Sequence, residues 1–525
     1  MNKNIQISAS SKTVHLKHFW SKCVGAGRAN EGLRANWQRH LQQVVKECGF
    51  QYLRFHGLFH DDMFVYRKDG DQEVYNWQYI DELFDALLEN RIRPFIEFGF
   101  CPQDMASGET TQFWWKGNVT PPRDYTQWGN LIERSVTHWI ERYGISEVRN
   151  WYFEVWNEPN LHAFWDGTKQ EYFSLYKSTV KVIKNINQEL RVGGPATSNF
   201  VPDERFAGEV EDESKQLTFQ TEDLESLKWR GVWVENFLDF CSHENLPVDF
   251  ISTHPYPTDF ALDGYGRTKG LSRNVDSTKK DLTWLRHLIN NSPFPKAEIH
   301  LTEWSSSPSP RDCSHDYLPA ATFIVKSNIE SSGLVDSLSY WTFTDVFEES
   351  GAGDSIFHGG FGMINFQGIV KPSFHAYRFL NYLGDREISR GDKYIATRNS
   401  SSGKLSLLIY HYPDEVKQAV PISPYPNRVP AEDLMATGSY QNLFIEIKDL
   451  EPGSRFMMET LDKDHGIAVK NWREMGSPEP PSVEMTRELK TMGLNTKKEI
   501  ISTENSSVKI SLSLSPWSLV SIREL

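Results

Sequence analysis

The stretch YIDELFDALLENRIRPFIEFGF, residues 79–100, contains two periodicities in succession. Ile80, Leu83, Phe84, Leu87 and Leu88 recur at steps of three and four, which gathers them on one face of a helix. FIEFGF, ending at Phe100, is short, apolar and aromatic, as a buried strand is. A helix that runs directly into a buried strand is half of a βαβ unit, and the fold depends on how often that unit recurs.

It recurs along most of the chain. Downstream, Trp128, Leu131, Ile132, Ser135, Val136, Trp139, Ile140 and Tyr143 repeat the helical spacing. FEVWNE (153–158) follows, then a helix over roughly 169–190 and RVGGPAT (191–197). VDFISTHPY (248–256), a helix near 276–291, EIHLTEW (298–304), a helix near 315–332 and SLSYWTFTD (337–345) continue the series. Upstream, YLRFHG (52–57) is an earlier strand and CVGAG (23–27) a weak first one. Eight strands with helices between them imply a parallel sheet, because parallel neighbours need crossovers. Eight units favour an α/β chain closed into a (β/α)8 TIM barrel over an open doubly wound sheet. No Gly-rich phosphate fingerprint follows any early strand, which weakens the nucleotide-binding alternative. The span is longer than the roughly 250 residues typical of such a barrel and leaves room for long loops.

From about residue 386 the texture changes. KLSLLIYHY, YQNLFIEIKDL, RFMMETLD, VKISLSLS and WSLVSIREL read as antiparallel strands separated by turn residues, hence a C-terminal β-sandwich. QISAS, near the N-terminus, can add a strand to it. The expected division is a catalytic barrel over 14–385 and an accessory sandwich from 1–13 plus 386–525. Pro202–Lys228, acidic and containing EVEDESK, follows the fifth strand and so belongs on the barrel's C-terminal rim. A solvated loop is the simple reading, and a lid or an oligomer contact the alternative.

A formal net charge of −14 with no basic block argues against nucleic acid and against an anionic membrane surface. Cys23, Cys48, Cys101, Cys241 and Cys313 are scattered and odd in number, without metal spacing, as buried free thiols are. No run is apolar enough to span a bilayer and no signal-peptide core is visible, so a cytoplasmic location is expected. The sandwich offers a surface for a possible homo-oligomer.

In such a barrel the C-terminal strand ends surround one pocket. The second strand carries Arg54 and His56 there, and the fourth Asn157 and Glu158. The sixth carries His254 and Tyr256, the seventh Glu303, and the eighth Trp341. Taken singly, each has a plain structural reading: His254 as a satisfied histidine, Trp341 as core, Glu154 as an ion pair inside the barrel. His60, Asp61 and Asp62 read as a loop network, since no complete metal-ligand set accompanies them. Together they place two carboxylates, Glu158 and Glu303, across one barrel mouth. Paired carboxylates are what glycosidic cleavage requires, one to protonate the leaving oxygen and one to attack or activate water.

FEVWNEPN and HLTEW resemble the acid/base and nucleophile segments of the clan A retaining glycoside hydrolases. Within that clan the chain is most similar to the β-xylosidases of glycoside hydrolase family 39. RFHGLFHDD, YNWQYIDELFD, RPFIEFGF, GNVTPPRDY, FEVWNEPN, VGGPA, PVDFISTH, SYWTFTDVFEE and FHGGFG carry the likeness. THPYPTDF, the Ser305–Ser307 run and the acidic insertion depart from the family pattern.

The resemblance implies a retaining glycosidase, a β-xylosidase acting on xylo-oligosaccharides as in xylan degradation, and the long rim loops add the expectation of an exo-glycosidase that releases xylose from the non-reducing end. Glu158 would be acid/base and Glu303 nucleophile, with Arg54, His56, Asn157, His254, Tyr256, Trp341 and Glu348 binding substrate. Glu349 is the less certain neighbour of Glu348. No metal or organic cofactor is implied, and the partner is a small oligosaccharide. Long rim loops suggest a pocket closed on one side. The rival readings are the same machinery on another sugar (α-L-iduronidase-like, β-glucosidase, galactosidase or arabinopyranosidase) and a non-catalytic carbohydrate-binding protein. A uronic acid would need a cation, for which Arg267, Lys269 and Arg273 are the candidates.

Overall fold

A computed structural model describes residues 3–198, 200, 229–262, 268–420, 427–503 and 505–525. The acidic segment 202–228 and Arg267 therefore lie outside the described residues. Eight strands form a closed parallel ring: β1 (Cys23–Arg28), β2 (Tyr52–His56), β3 (Arg93–Phe98), β4 (Tyr152–Val155), β5 (Arg191–Thr197), β6 (Phe250–Thr253), β7 (Glu298–Trp304) and β8 (Ser337–Tyr340). Each pairs with its neighbours in chain order, and Tyr340 against Val24 closes the ring. The helices that return between and after the strands are α1 (Ala35–Cys48), α2 (Gln78–Glu89), α3 (Tyr125–Tyr143), α4 (Lys169–Ile186), α5 (Val232–His243), α6 (Ser277–Asn290), α7 (Leu318–Glu330) and α8 (Pro372–Asn381).

Local chemistry sets these boundaries. Gly49, at φ 75°, ends α1 in the left-handed conformation that a helix C-terminus favours. Asp124 accepts the Thr126 N–H at the start of α3, and Thr168 with Glu171 forms a reciprocal capping box on α4. Ile80, Leu83, Phe84 and Leu87 of α2 are buried, as the three-and-four spacing requires.

Side chains alternate across each strand, so residues two apart share the barrel interior. Cys23, Tyr52, Phe95, Tyr152 and Phe250 form an apolar plug within the ring. Two residues beyond Tyr52, Phe95, Tyr152 and Phe250 the same inward faces carry Arg54, Glu97, Glu154 and Ser252, and two beyond His300, which packs on the plug, Thr302; all are buried. The interior thus changes from aromatic to charged towards the strands' C-terminal ends, and the site begins there.

Five C-terminal segments read as strands from their alternation are strands: Leu405–Tyr410, Gln441–Lys448, Arg455–Leu461, Val508–Leu514 and Leu519–Glu524. They contribute to two sheets whose facing side chains, among them Ile7, Leu407, Ile445, Phe456 and Val520, make a core separate from the barrel's. Lys3–Ser8 joins the smaller sheet, but parallel to Gln441–Lys448 rather than antiparallel. Val14 and His15 pair with Glu387 and Arg386 at the edge of the larger sheet. Among the described residues three helices, Val429–Met435, Ala468–Glu474 and Val483–Leu494, interrupt the β region; Ser482 caps the last by accepting the Met485 N–H.

The loop from β8 to α8 returns over the barrel mouth and is pinned from beneath by Lys371. Its ammonium donates to Asp316 Oδ1 at 3.0 Å, Asp345 Oδ2 at 3.0 Å and the Gly360 carbonyl at 2.6 Å. Burial opposes the charge, but the two aspartates hold the Lys371 pKa above its ordinary value. Lys371→Met leaves two buried carboxylates without their cation and is expected to cost about 3–5 kcal/mol. Urea unfolding of the two proteins checks this, and a loss below 1 kcal/mol would contradict the pinning role.

Among the described residues no helix is long and apolar enough to cross a membrane. All five cysteines are buried and free.

Candidate active site

Arg54 organises the site. Fully buried on β2, it donates from Nε to Glu154 Oε2 at 2.5 Å and from Nη1 to Glu303 Oε1 at 2.7 Å. Its Nη2 donates to Asn157 Oδ1 at 2.9 Å and lies 3.0 Å from Glu97 Oε2. Burial penalises the guanidinium, but Glu154, Glu97 and Glu303 together hold its pKa above the ordinary value. Glu154 is thus an ion pair inside the barrel, as its sequence position suggested. Glu97 was missed; it sits in FIEFGF at the inward parity of β3, which was its only signal.

Glu303, near the end of β7, lies with one oxygen against Arg54 and the other 3.3 Å from the Tyr256 hydroxyl, which donates to it. His56 approaches the same carboxylate at 3.4 Å through Nε2, while its Nδ1 is 2.6 Å from Glu97 Oε2. Trp341 lies beside them, its ring centroid 4.8 Å from that of His56. Gly25 makes room for it, since a β-carbon there would come within 2.4 Å of the Trp341 ring.

Glu158 stands past the end of β4. The strand stops at Val155 rather than running through FEVWNE, because Trp156 and Glu158 turn into left-handed backbone at φ 72° and 44°. The Glu158 N–H is tied to the Ala196 carbonyl at 2.8 Å, and its carboxyl Oε1 lies 3.0 Å from His254 Nδ1. Burial first, and then the charge of Glu303, push its pKa well above the usual carboxylic range. Burial, with Arg54 and His56 nearby, holds His254 well below the usual imidazole value and so neutral.

One carboxylate oxygen of Glu158, one of Glu303 and a ring nitrogen of His254 all lie within 4.8 Å of one another. Among the described residues this is the one group of side chains spaced to grip a cation, and it is equally the spacing of a carboxylate pair around a single sugar carbon. The two acids have unlike surroundings: one faces an arginine and a phenol, the other a neutral imidazole.

The structure thus brings Arg54, His56, Asn157, Glu158, His254, Tyr256, Glu303 and Trp341 to one end of the ring. It separates Glu348 from Glu349. Glu348 is gripped by Arg28 at 3.1 Å and Arg34 at 2.5 Å, and despite burial these bonds hold its pKa below the usual range. Its neighbour Glu349 has Oε1 3.8 Å from His56 Nε2. Burial, with Glu303, Glu31 and Glu158 close by, raises the Glu349 pKa well above the ordinary value. Glu349 therefore faces the carboxylate pair and Glu348 is committed to a salt bridge, the reverse of the weighting the sequence suggested. Arg273 is buried in a two-point pair with Asp281, at 2.7 and 2.9 Å, and so is held away from any sugar carboxylate. The side chain of Lys269, like Arg267, lies outside the described residues. The Ser305–Ser307 run closes on itself, with Ser305 Oγ donating to the Ser307 carbonyl at 2.6 Å. His60 pairs with Asp62 at 2.7 Å, which Arg28 also contacts, in a loop network.

The family model of glycosyl hydrolases family 39 matches residues 3–508. The chain belongs to that family. It is 37% identical over 531 residues to a β-xylosidase of Caldicellulosiruptor saccharolyticus, covering 99% of this chain and 97% of the relative. A β-xylosidase of Geobacillus stearothermophilus is 38% identical over 475 residues, 89% of this chain and 84% of that one. Among solved structures, a monomeric β-xylosidase from Caulobacter crescentus CB15 superposes with a TM-score of 0.85 at 31% identity, covering 99% of each chain. The protein is a glycoside hydrolase built as a TIM barrel with a β-sandwich.

Proposed function

We propose that this family 39 hydrolase is a retaining β-xylosidase that removes xylose from the non-reducing end of xylo-oligosaccharides by double displacement. The observation that carries the reading is that one oxygen of Glu158, one of Glu303 and a ring nitrogen of His254 lie within 4.8 Å of one another, which sets both acids around a single sugar carbon as double displacement requires. The names of the relatives at 37–38% identity support the sugar.

Glu303 attacks the anomeric carbon, its charge held and aimed by Arg54 and Tyr256. Glu158, protonated through burial and the adjacent charge, gives its proton to the departing oxygen. Esterification removes the Glu303 charge, so the Glu158 carboxylate left by that transfer no longer faces a second anion and takes a proton from the water that attacks the intermediate. Asn157, its amide oxygen bound to Arg54, keeps its NH2 for the sugar 2-hydroxyl, where bonding strengthens as the oxocarbenium develops. Trp341 offers its ring to the sugar face, and His56 and Glu349 reach further hydroxyls. Exo action and a monomer or homo-oligomer are parts of this reading that product analysis and sedimentation decide. Five free buried thiols support a reducing, cytoplasmic setting.

A panel of aryl β-xylosides, β-glucosides, β-galactosides, α-L-arabinopyranosides and α-L-iduronides, followed by NMR of the first-formed sugar, tests the reading. The xyloside is expected to have the highest kcat/KM and to release β-xylose first. Release of α-xylose first, or faster turnover of another sugar, contradicts it.

A further inference from the structure

A buried chain of hydrogen bonds leads from the barrel interior to Glu158. Arg54 Nε donates to Glu154 Oε2 at 2.5 Å, and the Thr302 hydroxyl donates to Glu154 Oε1 at 2.8 Å. Thr302 Oγ1 is also 2.9 Å from His254 Nε2, and His254 Nδ1 is 3.0 Å from Glu158 Oε1. Glu154, Thr302 and His254 are fully buried.

Counting protons along this chain fixes its direction. A carboxylate bound to a guanidinium is an acceptor only, so the one Thr302 hydroxyl proton is used on Glu154. Towards His254 the threonine oxygen then has only lone pairs to offer, and Nε2 must be the protonated nitrogen. A neutral imidazole carries one proton, so Nδ1 presents a lone pair to Glu158.

Resting on the acid/base reading of Glu158, we propose that Thr302 is a positioning residue: it holds His254 in the Nε2–H tautomer and thereby keeps the catalytic proton on Glu158. Facing Nδ1, the protonated carboxyl donates a hydrogen bond, whereas the carboxylate meets another lone pair. A bond made only by the neutral form raises a carboxyl pKa. The arrangement serves both halves of the cycle. It keeps the acid loaded before attack, and it offers the carboxylate no competing donor when the proton returns from water.

Thr302→Val removes the acceptor from Nε2 and frees the other tautomer, in which Nδ1–H donates to the Glu158 carboxylate and stabilises it. Thr302→Val also takes a hydroxyl donor from Glu154 of β4, which keeps Arg54; the other charged and titratable groups around the pair keep their partners: Arg54 and His56 from β2, Glu97 from β3, Tyr256 beyond β6, Glu303 from β7 and Glu349 beyond β8. The basic limb of kcat/KM is expected to move down by about one pH unit, the scale of a single hydrogen-bond change. For xylobiose, whose leaving group needs the proton, kcat/KM near the wild-type limb is expected to fall about tenfold; for a dinitrophenyl xyloside, by less than about twofold. Thr302→Ser, which keeps the hydroxyl, is expected to restore both properties.

NMR of isotope-labelled histidine nitrogens in the wild-type enzyme reads the tautomer without any Thr302 variant, and is expected to find Nε2 protonated and Nδ1 bare. The opposite pattern overturns the proposal, as does a folded Thr302→Val enzyme with the wild-type limb and leaving-group response. If Glu158→Ala removes acid catalysis while these results go against the tautomer, only this inference falls. If Glu158→Ala leaves acid catalysis intact, the acid/base reading itself fails.

Discussion

Glu303→Gly is expected to lower kcat/KM on aryl xylosides by about 10⁵-fold, near 7 kcal/mol at about 1.36 kcal/mol per decade. The size follows from what is removed. The attacking group itself goes, and with it the anion that Arg54 holds at 2.7 Å and Tyr256 at 3.3 Å. Neither neighbour replaces it, since a guanidinium is a donor without a lone pair and the phenol is held neutral by burial, with Glu158 and Glu349 still raising its pKa once Glu303 is gone. The fold should survive, because Arg54 keeps Glu154, Glu97 and Asn157 as partners. A melting temperature within a few degrees of wild type, beside the lost turnover, separates loss of chemistry from loss of structure. Residual activity above about one hundredth of wild type on a well-folded variant would remove Glu303 from the proposed nucleophile role.

Glu158→Ala is expected to produce a loss that depends on the leaving group. Where departure needs a proton, kcat/KM should fall by about 10²–10⁴-fold; for a dinitrophenyl xyloside the fall should be small. The pH profile should change with it. Glu158 acts in its protonated form and its pKa is raised, by burial and then by Glu303, so wild-type kcat/KM holds up to that raised pKa and declines as pH rises through it. In Glu158→Ala that basic limb should disappear from the profile of the residual activity on substrates whose leaving group needs the proton. A limb that persists unchanged would assign it to another group; Glu349, also raised and also near Glu303, is the nearest alternative.

Much of this was legible from the chain, for physical reasons that also mark where legibility stopped. The strands Arg191–Thr197 and Glu298–Trp304 have the limits their sequence suggested, each coming after a stretch of helical spacing that marks where the strand can begin. FEVWNE misled at its end. A run of apolar residues does not reveal that Trp156 and Glu158 adopt left-handed backbone, which shortens the strand and turns the Glu158 carboxyl towards His254. The helix Val483–Leu494 was hidden because it buries little, with only Leu489 and Gly493 buried and half of its residues polar.

Within the site, residues at strand ends could be named because strand parity and the barrel's geometry place them. Partners that meet across the ring could not. Thr302 reaches both Glu154 and His254, yet along the chain it is only an inward-facing residue beside Glu303. Glu348 and Glu349 were indistinguishable because they lie on a loop, where no period decides which carboxylate turns inwards. Arg28 and Arg34, arriving from β1 and the start of α1, decide it by capturing Glu348.

The central claim is that Glu303 and Glu158 act on opposite faces of one sugar carbon, and azide tests it most directly. With a dinitrophenyl β-xyloside, azide should enter the space left in Glu303→Gly and yield the α-xylosyl azide. In Glu158→Ala it should attack the covalent intermediate from the other face and yield the β-xylosyl azide. Proton NMR distinguishes the two anomers. Opposite anomers from the two variants are the expected result; the same anomer from both, or the two assignments reversed, would contradict the account.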